Sequence, residues 1–66
     1  MKELLIDIYE ILVNDKKVII SIVKKSSKYI VEKCIVNNEC IDLIYKETFN
    51  TIKDARMAYK NLIATR

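Results

Sequence analysis

Neither glycine nor proline occurs anywhere in the 66 residues, so every reversal of the chain must be made by residues with a Cβ. Asparagine and aspartate tolerate positive φ best, and serine offers a weaker side-chain bond to the turn backbone. Three such pairs stand at regular intervals, Asn14-Asp15, Ser26-Ser27 and Asn37-Asn38. They divide the first 47 residues into runs at 5–13, 17–25, 28–36 and 40–46, rich in Ile, Val and Tyr and each of strand length. Three short connections in succession imply an antiparallel meander, because parallel neighbours need a crossover of a dozen residues or more.

The first run carries two periodicities. Leu4, Leu5, Ile8, Ile11 and Leu12 share one helical stripe, whereas Ile6, Tyr9 and Val13 favour strand and interrupt the polar face. Asn14-Asp15 leading into Val18-Ile19-Ile20 reads as a hairpin, which favours strand; an N-terminal helix over 2–13 stays as the alternative. The last segment is helical. Phe49, Ile52, Ala55, Tyr59, Leu62 and Ile63 recur at spacings of three and four, Thr51 and Asp54 form a capping pair, and Lys60 and Arg66 suit the negative end of the dipole. The expected fold is α+β, a single small domain over 1–66, with a four-stranded antiparallel meander and one C-terminal helix packed on one face.

Side chains alternate along strands, so the turns also predict the faces. Reversal at Ser26-Ser27 aligns Val23 with Ile30, Ser21 with Glu32 and Ile19 with Cys34; reversal at Asn37-Asn38 aligns Cys34 with Ile41 and Ile35 with Cys40. One face then carries Ile8, Leu12, Ile19, Val23, Ile30, Cys34, Val36, Ile41, Leu43 and Tyr45. The other carries Tyr9, Ile11, Val18, Ile20, Ile22, Tyr29, Val31, Ile35 and Ile44. Both are apolar, and one helix shelters only one of them. A homodimer or an obligate protein partner is therefore expected, with Val18, Ile20, Ile22, Val31 and Ile44 as its interface; a helix at 2–13 would cover that face instead. Cys34 and Cys40 fall on opposite faces, where no disulfide can join them, and read as reduced residues of a cytoplasmic protein.

The same composition narrows the function. Histidine is absent, which leaves Ser21, Ser26 and Ser27 without the usual base and removes any cysteine/histidine zinc site. Glu10 and Glu32, with Ser21 between them, form the one candidate carboxylate row, in a chain with little room for a substrate cleft. No enzyme activity, metal or cofactor is expected. No apolar run approaches the roughly 18 residues that span a bilayer, so no membrane association is expected either. Of the net charge of +3, residues 16–33 alone hold +5. Lys16, Lys17, Lys24, Lys25, Lys28 and Lys33, with Tyr29 among them, are candidate DNA-contacting residues on a basic two-stranded ribbon.

Residues 48–59, Thr48-Phe49-Asn50-Thr51-Ile52-Lys53-Asp54-Ala55-Arg56-Met57-Ala58-Tyr59, resemble the hook that closes AP2-type DNA-binding domains and the arm-binding domains of tyrosine recombinases. There a Thr-Phe-x-Thr turn leads into a helix with Ala-x-x-Ala-Tyr. The resemblance implies a sheet with a helix on one face and DNA against the other. Glu47 stands where those families have glycine, and their DNA-reading arginines and tryptophans have no counterparts here. The sequence thus points to a self-associating accessory or regulatory DNA-binding protein, or to a protein-directed inhibitor or adaptor that binds no nucleic acid, and its small size suits a phage or mobile-element origin.

Overall fold

The structure, a computed structural model, describes residues 3–38 and 40–65. Four strands follow one another, β1 (Glu3–Val13), β2 (Lys16–Lys25), β3 (Lys28–Asn37) and β4 (Cys40–Phe49), and helix α1 (Ile52–Ala64) closes the chain. The strands pair in sequence order, all antiparallel, and α1 packs across β2, β3 and β4. This is the expected meander with one C-terminal helix, and the first run is a strand. Its β-branched and aromatic positions outweigh the helical stripe because β2 offers a pairing edge along its whole length.

The turns manage without glycine. Asn14 and Asp15 both take positive φ, 52° and 66°, the pattern of a tight hairpin turn that matches strand twist. Ser26 stands at φ 59° and Asn38 at 56°. Asn37 pairs with Cys40, so the third reversal falls one residue later than the Asn37-Asn38 pair suggested, and Cys34 meets Leu43 rather than Ile41. The slip moves partners by two positions and leaves each side chain on its face.

Two bulges do alter faces. Leu5 opposes Val23 and Asp7 opposes Ile22, leaving Ile6 as the extra residue of β1. Likewise Lys33 opposes Tyr45 while Cys34 opposes Leu43, so Ile44 is the extra residue of β4. Beyond it, Tyr45 lies on the helix side, opposite to the face the uninterrupted alternation assigned it.

The core sits between α1 and one face of the sheet. Ile20, Ile22, Val31 and Ala55 are fully buried, with Val18 and Tyr59 nearly so, and Tyr9, Tyr29, Tyr45 and Phe49 pack around them. Thr51 caps the helix by accepting a hydrogen bond from the Asp54 amide at 3.3 Å, and Ala55 N–H donates to the Thr51 carbonyl at 3.2 Å. At the other end Thr65 bonds the Asn61 carbonyl through its amide (3.1 Å) and its hydroxyl (2.9 Å). Arg66, expected at the dipole's negative end, lies outside the described residues.

Candidate interaction surface

The helix covers the face that carries Val18, Ile20, Ile22 and Val31. These four cannot form a dimer interface, because α1 already removes them from solvent. That corrects the sequence expectation: the faces were sorted, but the helix sits on the opposite one. Ile44 is exposed at the β4 bulge, apart from the other four.

The uncovered face is built by register. Leu5, Ile8 and Leu12 come from β1, Ile19 and Val23 from β2, Ile30, Cys34 and Val36 from β3, and Ile41 and Leu43 from β4. None of these ten is buried; Leu12 and Ile41, at the two ends of one cross-strand row through Lys17 and Val36, are 72% and 71% exposed. An antiparallel sheet that faces water on one side ordinarily alternates apolar with polar residues. Here the alternation yields apolar residues on both sides.

Charges interrupt this face in a particular way. Glu3, Glu10 and Glu32 lie on it with Lys17, Lys25, Lys28 and Lys46. Three ion pairs link them across strands, Lys17–Glu10 at 3.2 Å, Lys25–Glu3 at 3.7 Å and Lys46–Glu32 at 3.9 Å. Such exposed pairs add little stability, about 0–1 kcal/mol each. Their consequence is electrostatic: each carboxylate on the face already has a cation beside it. Partial burial pushes the Cys34 thiol above its ordinary range, and the Glu32 carboxylate pushes it further. Cys34 therefore stays a protonated thiol, a poor nucleophile.

The candidate DNA-contacting residues do not converge. Lys16 and Lys17 stand at one end of β2 and Lys24 and Lys25 at the other, on the order of 25 Å away at about 3.3 Å per residue. Lys24, Tyr29 and Lys33 are on the helix side, and Lys17, Lys25 and Lys28 on the open side. Lys24, Lys25 and Lys28 do cluster at the β2–β3 hairpin, where Lys24 lies 5.9 Å from the Tyr29 ring centre and Lys28 bonds the Asn50 carboxamide. The carboxylate row also fails to form. Ser21 opposes Glu32, but across β1 it opposes Ile8, while Glu10 faces Ile19 and pairs with Lys17. Cys34 and Cys40 are free thiols.

Sequence reasoning missed a basic ridge on α1, where Lys53, Arg56 and Lys60 recur at helical spacing around Met57. The +3 charge of residues 48–66 was its signal. Among the described residues no helix is long and apolar enough to cross a membrane, and no group of three or more metal-ligating side chains gathers. Residues 48–59 form the end of β4 and the start of α1, with Phe49 against the core and Ala55 and Tyr59 buried in it. The face their resemblance assigns to DNA is the one opposite the helix, which in this chain is the apolar open face. Comparison with known protein families, with curated proteins and with solved structures finds no match to the chain.

Proposed function

We propose that the chain is a small non-enzymatic binding module whose working surface is the open face of its sheet, and that this face takes protein rather than nucleic acid. One observation carries the reading: no element among the described residues covers the ten apolar side chains on one side of the sheet. Exposed apolar area beyond a few hundred Å² is rare on monomers and marks interaction sites. Phosphate backbones select for dense positive charge, which this face lacks. Two free thiols suit a reducing compartment, and we take the cytoplasm as its place of action. An adaptor, an inhibitor or the subunit of a regulatory complex would use such a surface.

The test compares the wild-type chain with Val23→Lys/Ile30→Lys, in purified form and in an extract of the source cells. Loss of self-association or of a retained protein partner in the variant is the expected result. Wild type and variant behaving alike in both measurements would overturn the reading.

DNA contact is the second reading, favoured by Lys24, Lys25 and Lys28 at one hairpin end. It expects retention on random duplex DNA that weakens as salt rises and disappears when the three lysines become glutamates. Unchanged retention in that variant removes the hairpin from consideration, and no retention at low salt removes the reading.

A further inference from the structure

Resting on the reading that the open face binds protein, we propose that its occupant is a second copy of the chain. The two copies stack about a two-fold axis that runs along the strands, β1 of one over β4 of the other and β2 over β3.

Size is the first support. Four strands about 4.8 Å apart and ten residues long at about 3.3 Å each give a face of about 600 Å² in projection. Side-chain relief brings the accessible area toward the roughly 800 Å² per partner of a standard stable interface.

Charge is the second, and it also selects the axis. Burying a lone charge is costly, whereas this face offers its three carboxylates already paired with lysines. Across-strand register arranges the face in rows, with Ile8, Ser21, Glu32 and Lys46 forming the central one. A two-fold across the strands would set Lys46 on Lys46, Glu32 on Glu32 and Lys17 on Lys25. Like charges would then meet in the middle of the contact. A two-fold along the strands avoids this. It lays Val23 over Ile30, Ile19 over Cys34 and Leu12 over Ile41, and it brings acidic β1 over the margin that carries Lys46. Only Lys25 and Lys28 then meet as like charges, at the strand ends where water persists. Sheets stacked this way keep their strands nearly aligned, as face-to-face sheets do. The result is an eight-stranded sandwich with a helix on each outer surface.

The experiment measures the mass of the purified full chain by sedimentation, with two variants beside it. The wild type is expected at twice 7.8 kDa. Val23→Lys/Ile30→Lys is expected at half the wild-type mass with unchanged helix signal; should it lose that signal, Ile8→Lys/Leu43→Lys, at positions about half exposed in the single chain, takes its place. Leu12→Cys/Ile41→Cys, with Cys34 and Cys40 changed to serine, is expected to yield a covalent dimer on oxidation. Within one chain these two positions lie on opposite margins of the sheet and cannot join. A monomeric wild type overturns the second copy while leaving the face free for another protein. A dimer unaffected by the lysines overturns the second copy as occupant of this face, and the protein-binding face falls with it only if the extract also yields no partner that the lysines release. A lysine-sensitive dimer that fails to cross-link overturns the axis.

Discussion

At the scale of single residues, the two sides of β2 separate cleanly. Ile22 is fully buried under α1, whereas Ile19 is only half-buried on the open face. Truncating a packed isoleucine removes both transfer energy and contacts around the resulting cavity, so Ile22→Ala is expected to cost about 2–5 kcal/mol. Denaturant titration checks this, and a loss under about 1 kcal/mol would contradict the burial. Lysine at Ile20 and Ile22 together should unfold the chain, since both would be forced into the core.

Tyr45 gives a second residue-scale expectation. Its hydroxyl donates to the Glu47 carboxylate, and this bond first, then partial burial, pushes its pKa up to about 12. An unfolded tyrosine titrates near 10. The folded pKa is the higher of the two, so the contribution is complete below pH about 10 and is lost as pH rises through about 12. Glu47→Gln should bring the tyrosinate absorbance change down toward pH 10. It should also narrow the stability difference from wild type across that alkaline window. An unmoved titration would remove Glu47 as the cause.

Among the elements, α1 depends on its start. Thr51→Ala removes the side-chain acceptor of the Asp54 amide, and the expected loss is about 1 kcal/mol, or about 4–8 °C in Tm for a domain this small. Thr51→Ser should retain most of it. This cap was legible in the sequence because threonine and aspartate stand three apart ahead of an apolar helical stripe. The strands were legible for a similar reason, since alternation and turn chemistry are local signals. The face that receives the helix was not. Val18, Ile20, Ile22 and Val31 look no more apolar than Ile19, Val23, Ile30 and Val36. A distinguishing signal lay in their neighbours: Tyr9, Tyr29, Tyr45 and Phe49 supply large rings around the helix, while Glu3, Glu10, Lys17, Lys25, Glu32 and Lys46 interleave the open side. The β4 bulge was also hidden. No glycine marks it, and its only trace is that Tyr45 belongs with the aromatic group once Ile44 is set aside.

For the molecule as a whole, the two-sided apolar sheet links stability to concentration. One layer of core, six buried apolar residues among those described, is little for a chain of this length. If a second copy covers the open face, unfolding also separates the copies, and mass action enters the unfolding equilibrium. A tenfold rise in protein concentration then adds about 1.4 kcal/mol per dimer and raises Tm by about 3–6 °C for a folded unit of twice this length. Val23→Lys/Ile30→Lys should melt at a temperature independent of concentration, because its copies no longer meet. Glutamates at Lys24, Lys25 and Lys28 leave the middle of the face intact, so that variant should keep the concentration dependence of the wild type. Melting curves over a dilution series separate these cases: a wild-type Tm that does not move with dilution means that each chain folds alone and its open face awaits a different protein.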